Sequence, residues 1–441
     1  MSFFLSSLQG FSTNHFKLMP QGSSSCSANG IIRITLPSNS IINWRSFALH
    51  FDAAITSAND QGRLPNKIKS LISRVEIQMG GTQINPGNND YNVLCHVKEA
   101  LEGDKTCRLL GHPEVVRATS YHTTTNHNGI HNNKEVAAPY VIDDWEGFIS
   151  TCSPILMDTG LVGDIVISIY LADNAVCIDA DGTDLSGGTA TIASDAAAPA
   201  PVYQLSSIYG TIETVGMADG VFDSAISATM SQQGELQIPF KQYITFQDNT
   251  QSAMRFSVAT QSLDRIWVAH RDINFNTAGG AVPIKGYLLN DTSGNFTLGD
   301  LGGVFDYNKE KYTSRYFNFP EVPQTTAGTA KYQFMLNGAL YPQFQAQLED
   351  MVEITKNSLE KRSEIPHGLL TYRNNYHCYC IRLNMPNSEL RSVMSGLNTK
   401  GVSLNAFYNM YNVNASRPIW IACECTSILH IAPGLQTNVS I

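Results

Sequence analysis

Apolar and polar residues alternate along much of this chain. In IIRITLP (residues 31–37) every second position from Ile32 is apolar and a Pro-Ser-Asn turn follows, which predicts a half-buried strand. Residues 46–55 predict a second. In SRVEIQMGGTQI (residues 73–84) Val75, Ile77 and Met79 share one face ahead of a Gly-Gly turn. The period then changes: Val93, Leu94, Val97 and Leu101 fall at helical spacing over residues 90–101, with Asp90 as N-cap. The second half runs through the same order. KYQFMLNGALYP (residues 331–342) sets Tyr332, Phe334 and Leu336 on one face before Asn-Gly, and Leu348, Met351, Val352 and Leu359 predict a helix over residues 347–359. Each half closes on an alternating strand, residues 203–215 and 419–431.

The halves also echo each other residue by residue. Arg33, Thr35, Leu36, Ser38, Asn39, Ser40 and Ile41 face Arg255, Ser257, Val258, Thr260, Gln261, Ser262 and Leu263 at an offset of 222; a two-residue gap then brings Arg45, Phe47, His50 and Asp52 over Arg265, Trp267, His270 and Asp272. TGLVGDIVISIYLADN (residues 159–174) is matched by SGLNTKGVSLNAFYNM (residues 395–410). A self-similarity spanning half of 441 residues fixes the number of units at two. The pattern gives an N-terminal arm (1–30), a first unit (31–217), a linking helix (218–234) with Val221, Phe222, Ala225 and Ile226 at helical spacing, and a second unit (235–441). Two all-β units of about 200 residues, each with one helix inserted between strands, predict tandem jelly-roll β-sandwiches with long loops. Immunoglobulin-like sandwiches are about half that size.

Composition narrows the function. With 43% hydrophobic residues the chain builds real cores, but charged residues are only 15%, against roughly 25% in average soluble domains. Such low charge points to surfaces covered by other subunits. The net charge of −9 and the lack of a dense Lys/Arg cluster argue against sequence-specific or wrapping contacts with nucleic acid. The first 20 residues carry neither a basic n-region nor a continuous apolar core, so no standard secretion signal and no membrane span are expected. The nine cysteines are then read as reduced thiols, and the Asn-x-Ser/Thr sites at Asn290, Asn295, Asn414 and Asn438 as unmodified.

Candidate chemistry is thin. Cys378 and Cys380 (HCYCIRL) and Cys423 and Cys425 (ACECTSI) each alternate onto one face of a strand, and four thiolates suit zinc, but Cys-x-Cys on a flat strand chelates poorly and plain burial is the better reading. His122, His127 and His131 stand in a polar YHTTTNHNGIH stretch that reads as a loop. The acidic pairs Asp143-Asp144 and Glu349-Asp350 read as surface charge, and the repeated Arg33, Arg45, Arg255 and Arg265 as structural partners of carboxylates or carbonyls near strand ends. Nucleophile elbow, zincin helix, Walker loop and dinucleotide fingerprint are all missing from the sequence. No catalytic, cofactor or metal residue is therefore assigned.

The stretches RITLPSNSIINWRSFALHF, LPNKIKSLISRVEIQMGGTQI with NDYNVL after it, DDWEGF (residues 143–148) and SLDRIWVAHRD resemble the double jelly-roll major capsid proteins of polinton-like viruses and virophages, in the lineage of adenovirus hexons and tailless membrane-containing phages. The resemblance runs from about residue 16 to the C-terminus. It implies a non-enzymatic virion protein, a homotrimer of two upright rolls per subunit, forming a pseudo-hexagonal capsomer that contacts neighbouring capsomers and minor or penton proteins. The alternative is an amidase-like enzyme or glycan-binding protein on tandem rolls, with a polar cleft between them. Residues 102–150, 179–201 and 273–331 are expected to form outward and inter-subunit surfaces, and residues 1–30 to lie against a neighbour.

Overall fold

The computed structural model describes residues 11–56, 62–65, 67–85, 89–102, 137–179, 201–217, 221–277, 281–283, 289–290, 296–297, 312–322, 324–325, 328–359, 369–385, 394–400 and 406–441. Among the described residues eight main strands, beside a few of two or three residues, build the first unit: β1 (Phe11–Leu18), β2 (Ile31–Thr35), β3 (Ile41–Ile55), β4 (Ile72–Met79), β5 (Thr82–Gln83), β6 (Ala138–Ile142), β7 (Ile165–Leu171) and β8 (Tyr203–Met217). They pair as two antiparallel sheets, ordered β1-β8-β3-β6 and β2-β7-β4-β5. The second unit repeats the plan with β9 (Leu236–Thr250), β10 (Ala253–Phe256), β11 (Leu263–His270), β12 (Lys331–Leu336), β13 (Ala339–Ala346), β14 (Cys378–Arg382), β15 (Ala406–Tyr411) and β16 (Arg417–Ala432), ordered β9-β16-β11-β14 and β10-β15-β12-β13. A terminal strand, β17 (Gln436–Ser440), hairpins back onto β16. Each unit is a jelly roll, and the orders coincide when eight is added to every strand number.

The helices fall where the 3.6-residue spacing puts them. α1 (Tyr91–Glu102) starts after Asp90, whose carbonyl accepts the Leu94 N–H, and buries Tyr91, Val93, Leu94, Val97 and Leu101. A single turn, α2 (Phe148–Thr151), follows β6. α3 (Val221–Gln233) links the rolls, and in α4 (Leu348–Ser358) the Asp350 carboxylate accepts the Gln347 N–H at 3.0 Å, closing the first turn as a capping box does. The short α5 (Leu369–Asn375) precedes β14.

Two expectations change. Residues 11–18, read as part of an arm, form the first strand of the first roll, paired along its whole length with β8 from Phe11–Met217 to Leu18–Gly210. As a sheet edge, β1 has only Phe11, Phe16 and Leu18 as large apolar residues, too few for the alternation that reveals inner strands. The second change concerns the echo. Its 222-residue part holds, since Arg33 on β2 and Arg255 on β10 occupy the same edge of equivalent sheets. The part that lays Phe47 over Trp267 and His50 over His270 is slipped by one residue. Phe47 points into the first roll, where a Cβ at Gly210 would stand 3.4 Å from its ring, whereas Trp267 points out of the second roll into a cluster shared with the first. His50 stacks on Tyr209 at the first roll's outer face, while His270 lies inside the second roll. Register shifts interrupt both β3 and β11, and one extra residue reverses which face every later side chain takes.

Candidate functional site

What the two rolls do to each other is the main chemistry of the molecule. β11 is buried at all eight positions, unlike β7, which alternates as a strand with one wet face does. Ile266 and Val268 face the second roll's own core; Trp267, Ala269, Trp420, Ala422, Cys378 and Cys380 face the opposite way, into the large cluster around the first roll. α1 lies against this outer face. Among the described residues the rolls meet through a mainly apolar junction, unlike the polar cleft that the enzyme or lectin alternative requires.

Charged groups are enclosed within the junction. Lys98 of α1 donates to Glu146 at 2.5 Å and to the Tyr243 hydroxyl at 3.2 Å, and lies 5.9 Å from the Trp267 ring centre. Trp267 Nε1 donates to Glu424 at 3.0 Å, and Arg265 stands 3.8 Å from the same carboxylate. Burial alone would lower the Lys98 ammonium, but Glu146, Tyr243, Glu102 and Glu424 together hold it well above its ordinary value. Burial alone would likewise raise Glu424, yet Arg265, Lys241, Lys98 and the Trp267 N–H hold it below the usual carboxylate range. The network stays charged on both sides. Its net contribution to affinity between the rolls is small, because desolvation consumes much of the Coulombic gain.

Further contacts join the same two bodies. Thr82 donates to the Thr437 carbonyl and Thr437 to the Met79 carbonyl, both at 3.1 Å. Ser153 N–H reaches the Pro239 carbonyl at 3.2 Å, and Thr245 donates to the Asn89 carbonyl at 2.9 Å. From the long insertion of the second roll, Phe317 stacks on His96 of α1 with ring centres 3.8 Å apart, and Ser314 donates to the Ala175 carbonyl at 3.3 Å. This part of residues 273–331 therefore faces the first roll, not outward as expected. Phe317 and Phe319 are buried there, but the insertion holds many other apolar residues, so nothing in the sequence marked these two.

The residues singled out in the sequence separate. Cys380 lies opposite Trp267 and Cys423 opposite Ile266, so the two Cys-x-Cys pairs occupy opposite faces of one sheet and do not converge. All four are buried free thiols, raised by burial, Cys425 to about 12. Among the described residues no three His, Cys, Asp or Glu side chains are grouped to hold a metal ion. His122, His127 and His131 lie outside the described residues. Of the repeated arginines, Arg265 meets Glu424 and Arg255 lies over the Phe407 ring at 6.0 Å, while Arg33 and Arg45 are exposed. Asp144 pairs with Lys69 at 3.0 Å, and Trp145 beside it donates to the Phe47 carbonyl at 2.9 Å.

One cluster had no sequence signal. Inside the second roll, His270 Nδ1 and His377 Nδ1 lie 3.2 Å apart, Tyr408 OH is 3.0 Å from His270 Nε2, and Tyr379 OH is 3.2 Å from His377 Nε2. Burial, with Arg417 adding to it, lowers His270 to about 3; burial, His270 and Arg373 lower His377 as well. Both rings are neutral polar members of a tyrosine-lined core. A mainly apolar cavity of about 270 Å3 where α3, β9 and residues 154–161 of the first roll meet, lined by Leu156, Met157, Leu161, Ile226, Leu236 and Ile238 with Asp158 and Gln237 at its edge, is smaller than ordinary ligand pockets.

The chain is thus a double jelly-roll protein whose rolls are locked by an apolar, internally charged junction. No known family profile matches its sequence, and no curated protein does. Its structure is similar over its whole length to the PBCV-1 virus capsid chain (TM-score 0.58, 11% identity, 100% of this chain and 99% of that one). It is also similar to the Faustovirus major capsid protein (TM-score 0.53, 9% identity, 98% and 92% covered) and to a chain of the Sputnik virophage (TM-score 0.51, 9% identity, 100% and 90% covered). At such identities the likeness establishes the fold.

Proposed function

We propose that this chain is the major capsid protein of an icosahedral virus, acting by self-association and not by catalysis. In this reading three copies form a capsomer of pseudo-hexagonal outline, because two like rolls per chain supply six similar corners, and capsomers then pack with one another and with minor proteins into the virion shell. In this reading the rolls comprise residues 11–217 and 235–441, joined by residues 218–234. The observation that carries it is the end-to-end match of both rolls, in one chain, to a virus capsid chain of nearly the same extent. The sequence agrees: 15% charged residues leave a surface suited to being covered. Electron microscopy of the purified protein tests the proposal. Particles of hexagonal outline with threefold symmetry are expected; single two-lobed particles at every concentration contradict it.

A further inference from the structure

The cavity beneath the linking helix is bounded by both rolls. Ile226, Thr229 and Gln233, spaced three and four residues apart on one face of α3, form its roof, and Leu156, Leu161 and Ile238 stand among its walls. It is partly open to solvent. Among the described side chains of α3, Met230 packs against the large core, while Ile226 is left half-buried over the cavity. An apolar protein cavity of roughly 150 Å3 accepts one benzene ring, so about 270 Å3 has room for one or two aromatic side chains.

The register of the sheet shows what can reach it. Thr13 of β1 pairs with Val215 of β8, Val215 with Ile41 of β3, and Ile41 with Asp158 at the cavity's edge. Three strand spacings amount to about 14 Å. Residues 1–10 lie outside the described residues; they enter β1 at Phe11, which pairs with Met217, four residues before α3 begins at Val221. At about 3.3 Å per residue, Phe4, seven residues before Phe11, reaches about 23 Å from it. The distance is covered with residues to spare. The segment reads MSFFLSSLQG, with five large apolar residues and no charged one, which matches a mainly apolar cavity with Asp158 and Gln237 at its rim. We propose that residues 1–10 fold back across the ends of β8 and β3 in their own chain and seat an aromatic ring of the Phe3-Phe4 pair in this cavity. The segment then acts as a clasp, tying the start of the first roll to the helix that joins the two rolls.

This inference does not depend on the trimer reading. Its test is hydrogen exchange of the full chain against the Phe3→Ser, Phe4→Ser double variant, whose changes precede the first strand and leave both rolls folded, as circular dichroism checks. Exchange over residues 221–233 at least tenfold faster in the variant is expected; equal exchange overturns the proposal. Chymotrypsin gives a second reading, since cleavage after Phe3 and Phe4 should be at least tenfold slower in the wild type than in Ile226→Trp, which fills the cavity with a larger ring. Equally fast cleavage overturns it. A disulfide between Phe4→Cys and Thr229→Cys then identifies the donor on a denaturing gel without reductant. A bond within one chain is expected, whereas bonds between chains, or none, overturn the assignment to the segment's own chain.

Discussion

The β1-β8-β3-β6 sheet of the first roll and the β9-β16-β11-β14 sheet of the second share one strand order and have different fates. In the first sheet the outer face carries half-buried and exposed polar groups: His50 stacked on Tyr209 at 4.6 Å, the exposed Lys17 over the same Tyr209 ring at 4.0 Å, and Asn43 donating to Glu213 at 2.7 Å. In the second the corresponding face carries Trp267, Trp420, Cys378 and Cys380 and is closed by the first roll. Duplication therefore does not produce two equal halves. One copy of this face is used up inside the chain, and the other is not.

The comparison breaks most directly at the tryptophan. Trp267→Ala removes a fully buried ring and the Glu424 bond, and should destabilise by about 3–5 kcal/mol, while Tyr209→Ala on the open sheet should cost less than about 1 kcal/mol. Chemical denaturation of the two variants measures the contrast, and equal losses would mean that the two outer faces are equivalent after all. Lys98→Ala should follow, at about 3–5 kcal/mol, because Glu146 then loses its ion-pair partner in a dry setting; Lys98→Met, which keeps the packing, should show whether charge or volume dominates.

Acid should act on the second roll more than on the outer face of the first. His270, held at about 3 against an ordinary 6.5, and His377 are neutral when folded, so below pH 6.5 the unfolded chain takes up protons that the folded chain does not. Stability is full above that pH and falls by about 1.4 kcal/mol per pH unit for each such histidine as the pH drops towards the folded values. His96, lowered to about 3 by burial, Lys67 and Lys69, adds a third at the junction. Thermal melting between pH 7 and 5 should show this slope, and His270→Phe should flatten it. The smallest effect expected is that of metal chelators, which should leave the melting temperature unchanged because Cys378 and Cys380 face away from Cys423 and Cys425.

Strands, turns and helices were legible wherever one side of an element is wet, since only there does burial impose a period. β4, β7 and β12 and the helices α1 and α4 are of this kind. β11 was harder to interpret: Asp264, Arg265 and His270 look like solvent-facing residues, but each is buried with a partner, Asp264 with Lys241 at 2.6 Å, Arg265 with Glu424 and His270 with Tyr408. The slip in the echo has a similar origin. A bulge adds a residue without leaving a mark in composition, so matching Phe47 to Trp267 looked conservative although the two rings point in opposite directions. β1 escaped because an edge strand needs little apolar residue content. The Phe317–His96 stack escaped because no local pattern announces which loop crosses to another unit.

The central claim is that two rolls in one chain are built to make threes. Light scattering of the purified full-length protein, followed through dilution, tests it most directly: the account predicts a species of three times the chain mass that persists to micromolar concentration or below, and a species of one chain mass throughout would contradict it.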